Sequence, residues 1–548
     1  MGTIEIDGKK VSFEGGKMVL QVAQENGIEI PSYCYHPGLS IVASCRICLG
    51  EVEMPDPKNP GKLVRVPKLV PTCQTPAVDG MKVYTQSDKS RANQRAVMEF
   101  LLINHPLDCP VCDQAGECDL QDYSYKYGRS ESRFLEDKAK KPKKDIGEHV
   151  LLYSDRCIMC TRCVRFTREI SGTSELGVFG RGHKEEIDVF PGRPLNNPLS
   201  GNVIDLCPVG ALLDKDFLFT QRVWFLKSTP SISPTSSGGE NIDIHHNEGR
   251  IYRIKPRYNK DVNQWWISDE TRYSFKFVHA ANRLRTPEAK KDGQFAEIGW
   301  NKAYEQLADI LKSAVQTAGP GSTAIVVSPF DATEEIYLQI KYARSIDPQA
   351  WLVIQPVPVV VAGGGGGGQE EVFRNPETGQ VTYTIKAEKC PNRWGLEKML
   401  SHFGGNTCTL EDLAFKKITA ALVSADPVLL PDADFTAFAN IPTIIRLGTA
   451  STDLYQQATL SLPTVTWAEK SGVYENFEGR VQPFMQAIPP LGDSRSTGQI
   501  FWNLLGNPTP YNPATIRTSL ATTMPEYATI LEPMSTVKVK EMQFTELN

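Results

Sequence analysis

The sequence predicts a multidomain chain, α+β toward its N-terminus and α/β beyond, and three observations predict it. First, 548 residues exceed one hydrophobic core at roughly 150 residues per domain. Second, 13 cysteines are unevenly spread: eleven lie between Cys34 and Cys207, and only Cys390 and Cys408 follow. Third, short strand-like runs surround the early cysteines, whereas strand-then-helix patterns fill the later half. With 41% hydrophobic and 22% charged residues the chain is globular rather than disordered. A net charge of −5 argues against a nucleic-acid binder. No apolar run reaches the ~18–20 residues of a membrane helix. The best run, Trp351 to Ala362, is broken by Pro356 and Pro358. Met1 to Ile6 has neither a basic start nor an apolar core, so no export signal is expected. Repeated C-x-x-C in a long chain of this kind reads as metal or redox chemistry rather than a disulfide framework.

The elements follow in order. Thr3 to Gly8 and Lys9 to Phe13 read as a hairpin, and Met18 to Glu25 has helical spacing. Cys34, Cys45, Cys48 and Cys73 then form C-x10-C-x2-C-x24-C. Plant-type ferredoxins likewise place three cysteines on one loop and bring the fourth from afar. Strand, turn, strand, helix and cysteine loop together resemble a β-grasp ferredoxin with a [2Fe–2S] cluster; a structural zinc site uses the same four thiolates. Arg91 to Asn104 reads as a helix with Val97, Phe100, Leu101 and Ile103 on its core face. An irregular loop follows, with His105, Cys109, Cys112 and Cys118 as H-x3-C-x2-C-x5-C. Three cysteines are one ligand short of a [4Fe–4S] cubane, and the histidine can supply it. Lys138 to Lys144 holds five lysines in seven positions and reads as an exposed linker, with subunit docking as the alternative.

Cys157, Cys160 and Cys163 give C-x2-C-x2-C, and Cys207-Pro208 closes the set. This is the most specific pattern in the chain, and it predicts a second [4Fe–4S] cluster. Arg156, Arg162, Arg165 and Arg168 surround it. They read as a solvated basic face, or as positive charge that offsets an anionic cluster and raises its potential. One [2Fe–2S] and two [4Fe–4S] clusters need twelve ligands, and eleven cysteines with His105 provide them with none left over. The expected domains are 1–80, 81–145, 146–220 and 221–548.

These residues together resemble one family. Ser32 to Leu39, Ala43 to Leu49, Asn104 to Cys112, Gly116 to Gln121, Asp155 to Arg165 and Val203 to Leu212 look like the large iron–sulfur subunit of respiratory complex I. In bacteria that complex is the NADH–quinone oxidoreductase. The remainder resembles a reduced molybdopterin-oxidoreductase domain, through Asn282 to Pro287, Ile298 to Trp300 and Gly472 to Gln482. Its own pattern is α/β: strand-like Ala324 to Val327, a helical stretch from Ala332 to Ile346, then strand-like Ala420 to Val423 and Thr443 to Leu447.

The resemblance implies an electron relay, without a catalytic site of its own, from a subunit that binds NADH and FMN toward the subunits leading to quinone. It also implies a peripheral place on the cytoplasmic face of the inner membrane, in a complex that pumps ions elsewhere. No Gly-rich dinucleotide fingerprint contradicts this. Some family members carry a fourth cluster on C-x2-C-x3-C-x27-C. Here that spacing falls on Ser233, Ser236, Glu240 and Ser268, so no fourth cluster is expected. Cys390 and Cys408 lack C-x-x-C partners and are expected to be idle thiols, with no molybdenum chemistry. Gly363 to Gly368 lacks a following Lys-Ser/Thr and reads as a flexible insert rather than a phosphate loop. The alternatives are the iron–sulfur arm of a soluble hydrogenase or formate dehydrogenase, a three-zinc scaffold, and an inactive assembly factor. The first would need further cysteines or a molybdenum ligand, and the last is disfavoured by the complete ligand set.

Overall fold

A computed structural model describes residues 1–59, 61–355, 357, 370–424, 436–529 and 537–538. The glycine run Gly363 to Gly368 lies outside the described residues. The chain divides into two compact units. Among the described residues, unit 1 comprises Met1–Phe225 and Phe373–Tyr383, and unit 2 the remainder from Leu226 onward.

Unit 1 opens with the predicted hairpin, β1 (Gly2–Ile6) and β2 (Lys9–Phe13), paired Gly2 to Phe13 through Ile6 to Lys9. Asp7 and Gly8 turn it with positive φ, and glycine at the second position carries no Cβ penalty there. Helix α1 (Val19–Glu25) buries Val19, Leu20, Val22 and Ala23 against Ile4, Ile6 and Val83. The strands β3 (Leu49–Pro55), β4 (Leu63–Arg65), β5 (Val70–Pro71) and β6 (Lys82–Tyr84) complete the sheet, in the order β2-β1-β6-β3-β4 with β5 on β3. β6 enters parallel to β1, which is the β-grasp arrangement.

Helix α2 (Asp88–Leu102) begins three residues earlier than predicted, because Ser87 caps it by accepting from the Ser90 N–H at 3.3 Å. Its inner face is as predicted at Val97 and Leu101, which pack against a core around Tyr33 and Met98, and differs elsewhere. Ser90, Gln94 and Met98 are buried, whereas Phe100 is 68% exposed. The helix lies over strand-end carbonyls that need donors. Ser90 Oγ donates to Tyr84 O and Gln94 Nε2 to Thr85 O, so polar residues take the inner positions.

Helix α3 (Asp119–Tyr127) follows, then a three-stranded sheet and a hairpin. The sheet has the order β11-β8-β7, from β7 (Lys143–Asp145), β8 (Val150–Tyr153) and β11 (Leu212–Asp214). Between them lie α4 (Arg162–Glu169), the antiparallel pair β9 (Leu176–Phe179) and β10 (Glu186–Val189), and α5 (Asn202–Leu206). The lysine-rich stretch, read as an exposed linker, is exposed at Lys140 and Lys143 but is tied down at both ends. Lys138 Nζ donates to the carbonyls of Leu102 and Ile103 at the end of α2, at 2.7 and 3.0 Å. A cation there answers the orphan carbonyls of the helix terminus. Lys144 pairs with Glu186 and Asp188.

Unit 2 contains an antiparallel sheet of β12 (Lys227–Ile232), β13 (Asn241–Asn247) and β14 (Arg250–Pro256), with helix α6 (Asp269–Tyr273) following. Its main body is a mixed eight-stranded sheet. The hairpin β15 (Glu288–Lys291) and β16 (Gln294–Glu297), helix α7 (Trp300–Ala318), β17 (Thr323–Val327), helix α8 (Thr333–Ile346) and β18 (Trp351–Ile354) come first. A hairpin of β19 (Glu371–Arg374) and β20 (Val381–Ile385) intervenes, its tip assigned to unit 1. Then come β21 (Thr407–Cys408), β22 (Ala420–Ser424), β23 (Thr443–Gly448) and β24 (Leu460–Pro463). The order is β16-β15-β24-β23-β22-β17-β18-β21, parallel from β24 to β21. β17 shows why: Ile325 and Val327 enter one core, and Ala324 and Val326 the other. A strand buried on both faces reads as an unbroken apolar run, as Ala324 to Val327 and Ala420 to Val423 do. Among the described residues no helix is long and apolar enough to cross a membrane.

Candidate functional site: three cysteine groups

The first group sits where β3 leaves the cysteine loop. Cys34, Cys48 and Cys73 are buried and Cys45 is half-buried. Cys48 and Cys73 Sγ are 3.5 Å apart, and the Cys34 thiol is in hydrogen-bonding contact with both Cys45 and Cys73. The backbone N–H groups of Ser44 and Cys45 also donate to Cys34. These bonds hold the Cys34 thiol well below its usual range, and Cys48 at about 7, while Cys45 and Cys73 are pushed up as the partners that keep their protons. The loop is strained: Ala43 and Arg46 have φ of 50° and 60°. Such left-handed, non-glycine residues cost about 1–3 kcal/mol each and concentrate at ligand clamps.

The third group is built the same way. Met159 and Thr161 have φ of 54° and 60° between the cysteines. Cys157, Cys160, Cys163 and Cys207 line one cavity of about 20 Å³, closed by Leu152 and Ile187. Burial pushes the Cys157 thiol up to about 12 and Cys160 to about 11, and raises Cys163 and Cys207. Opposing this, the N–H groups of Val209, Ala211 and Leu212 point at Cys207, and that of Met159 at Cys157 at 3.4 Å. A positive metal centre resolves the conflict, because it favours the thiolate that burial disfavours.

The second group is the most open. Cys112 and Cys118 are buried, Cys109 is exposed, and His105 is half-buried. A turn of 3-10 helix, Cys109–Val111, lies inside the loop read as irregular. Electrostatic interaction links Cys112 to Cys109 and Cys118 to Cys112. The guanidinium of Arg156 acts on both Cys112 and His105. Burial together with Arg156 and Lys138 lowers His105 to about 4, so its imidazole is neutral at pH 7 and keeps a lone pair for a metal. Gly210 closes the site. A Cβ there would lie 2.2 Å from Cys112 Sγ and 3.1 Å from Gln114 Cβ, so only glycine fits.

The arginines overturn the expectation of a solvated face. Arg156 is 2% exposed and Arg165 3% exposed. Arg156 pairs with Asp108 at 2.7 Å and lies over the Tyr153 ring at 4.0 Å. Arg162 and Arg165 reach the first group's loop through its carbonyls. Only Arg168 is exposed. Charge on a short basic run does not reveal burial; the partners come from loops 48 residues away for Arg156 and more than a hundred away for Arg165.

All 13 cysteines are free. Among the described residues no three His, Cys, Asp or Glu side chains converge as ligands of a single metal ion. In unit 2, Ser233, Ser236, Glu240 and Ser268 are all buried. Ser233 Oγ and Thr271 Oγ1 are 2.8 Å apart, and Thr271 also bonds the Glu240 carboxylate. Cys390 is buried and its thiol bonds Glu388; Cys408 is half-buried at the sheet edge on β21.

Comparison with known proteins gives five family matches. Residues 1–88 match a 2Fe-2S iron-sulfur cluster binding domain, and residues 94–133 the NADH-ubiquinone oxidoreductase-G iron-sulfur binding region. Residues 147–213 match the ferredoxin-like domain of NADH-quinone oxidoreductase subunit 3. Residues 226–276 match an NDSU1/NuoG-like 4Fe-4S domain, and residues 432–507 molybdopterin oxidoreductase. Among curated relatives, the NADH-ubiquinone oxidoreductase 75 kDa subunit of Reclinomonas americana is 45% identical over 312 residues, 57% of this chain and 43% of that one. The mitochondrial NADH dehydrogenase iron-sulfur protein 1 of Solanum tuberosum is 44% identical over 56% of this chain and 40% of its own length. The mitochondrial NADH-ubiquinone oxidoreductase 78 kDa subunit of Neurospora crassa is 44% identical over 58% of this chain and 41% of its own length. The match thus spans less than half the length of these relatives. A chain of an NAD+-reducing [NiFe]-hydrogenase is 28% identical, covering 40% of this chain and 91% of that one, at a TM-score of 0.35.

Proposed function

We propose that this chain is an electron-transfer subunit of an NADH–quinone oxidoreductase, of the kind that its relatives and its N-terminal family matches are named for. The observation that carries this reading is the gathering of eleven cysteines into three groups within unit 1. The group with only three thiols has the neutral His105 linked to it through Arg156. Our assignment gives Cys34, Cys45, Cys48 and Cys73 to a [2Fe–2S] cluster. It gives His105, Cys109, Cys112 and Cys118 to one [4Fe–4S] cluster, and Cys157, Cys160, Cys163 and Cys207 to another. When bound, such clusters take up and release single electrons.

The chain's own residues do the rest. Backbone N–H groups aimed at Cys34, Cys157 and Cys207 stabilise thiolates. Leu152 and Ile187 give the third group a largely apolar lining. We assign no cluster to residues 226–276. Oxygen atoms of Ser233, Thr271 and Glu240 bond one another there, and no thiol stands at the four positions. Cys390 and Cys408 supply no molybdenum site in this reading. The partners are peripheral-arm subunits, one binding NADH and FMN and others leading to quinone, on the cytoplasmic face of the inner membrane.

The test is low-temperature EPR of the anaerobically purified chain after dithionite reduction. One binuclear and two cubane signals are expected, and His105→Ala should lose one cubane signal only. A variant that kept both cubanes would remove His105 from the ligand set.

A further inference from the structure

Helix α4 carries Arg162 and Arg165 three residues apart, so both project from one face. Each guanidinium spans two cysteine groups. Arg162 donates to Leu206 O at 3.3 Å, beside Cys207, and to Tyr35 O at 2.7 Å, beside Cys34. Arg165 donates to Cys34 O and Ser40 O at 2.5 Å each, and to Cys160 O at 3.4 Å. Arg162 also lines the cavity shared by Cys157, Cys160, Cys163 and Cys207.

What is particular to this pair is that each guanidinium bridges two cysteine groups; their bonding has two further features, which Arg344 of unit 2 shares. All their hydrogen bonds run to neutral carbonyls. Among the described residues neither has a carboxylate within ion-pair distance: Glu169, the nearest acid on the helix, is engaged by Ser40 at 2.6 Å and Arg168 at 3.1 Å. In addition, the Nε–H of both arginines is buried and has no acceptor. A buried donor left unmet costs about 1–3 kcal/mol; the Arg165 charge is only partly offset by Glu169 on the same helix. The position of the pair, bonded to carbonyls beside Cys34 on one side and beside Cys160 and Cys207 on the other, puts both positive charges between the two cysteine groups.

We infer that Arg162 and Arg165 are positioning residues of electron transfer, the shared counter-charge of the cluster at Cys34 and the cluster at Cys157. The inference rests on the ligand assignment proposed above. A fixed positive charge beside two anionic centres favours the reduced form of each and raises both potentials. Because one pair of guanidiniums serves both centres, the two potentials move together when the pair is altered. The group at His105 has its own arginine, Arg156, and is not touched by the pair.

Redox-titrated EPR on the cluster-loaded full chain tests this. Arg162→Gln and Arg165→Gln should each shift the binuclear signal and the Cys157-group cubane signal to lower potential, and leave the His105-group signal in place. Arg165→Lys keeps the charge and should restore most of the shift, which a purely structural bond would not allow. Unaltered potentials in loaded Gln variants would overturn the inference while leaving the ligand assignment intact. A second measurement needs no substitution. In the unsubstituted chain labelled with 15N only at the arginine guanidinium nitrogens, pulsed EPR should detect arginine nitrogen coupled to both reduced clusters. Absence of that coupling from either signal would overturn the inference even if every variant failed to fold. Absence of the two signals themselves from the unsubstituted chain would overturn the ligand assignment, and this inference with it.

Discussion

His105 differs from the cysteines it is grouped with in one physical respect: it brings no charge. In the ligand set proposed above, replacing it by a thiolate would add one negative charge to the cluster and lower its potential. His105→Cys is therefore expected to keep two cubane signals, with one shifted to lower potential in an EPR redox titration; an upward shift would contradict the assignment. A second histidine titrates in unit 2. His246 Nε2 lies 2.9 Å from Thr229 Oγ1, and burial with Lys227 lowers its pKa from 6.5 to about 4. The unfolded chain takes up a proton between those values that the folded chain refuses. Stability from this site is thus full above about pH 6.5 and is lost as pH falls toward 4. Denaturant midpoints measured across that range should fall with acid, and His246→Gln should flatten the slope. The cysteines were legible because thiol spacing is a local pattern with few uses. The burial of Arg156 and Arg165 was not, because it is decided by Asp108, Cys34 and Ser40, remote in sequence.

At the scale of elements, the turn after α5 places Gly210 against Cys112 Sγ. Gly210→Ala would push a methyl group into the sulfur and should remove most of the His105-group signal while sparing the binuclear one. An unchanged cubane signal on EPR quantitation would show that the loop yields. The hairpin β1–β2, the strands β17, β22 and β23, and helix α8 all fall within a few residues of where periodicity puts them. These are segments whose alternation or apolar continuity agrees with their burial. Helix α2 is the informative failure. Its buried face carries Ser90 and Gln94, which answer the carbonyls of Tyr84 and Thr85, so a search for apolar spacing settles on Phe100 instead. The lysine stretch misleads in a similar way. Its charges look solvated in sequence, yet Lys138 caps a helix and Lys144 forms two ion pairs.

At the scale of the whole molecule, the cysteine groups and the α/β sheet fall in different units. One segment breaks the sequence order: Phe373–Tyr383 belongs to unit 1, with Thr382 Oγ1 donating to Ile170 O at 2.6 Å and the Arg374 carbonyl 2.7 Å from where a Cβ on Gly172 would sit. No local pattern announces such a return. A deletion of residues 230–548 would remove this hairpin along with unit 2. The truncated chain should fail to co-purify with its partner subunits, and one that assembled and passed electrons normally would remove the scaffold role from the second half. The central claim is the number and kind of clusters, and iron and acid-labile sulfide content of the anaerobically purified full chain tests it most directly. One binuclear and two cubane clusters require about ten irons. About fourteen irons would place a cluster on Ser233, Ser236, Glu240 and Ser268 after all, and stoichiometric zinc without labile sulfide would contradict the electron-transfer account outright.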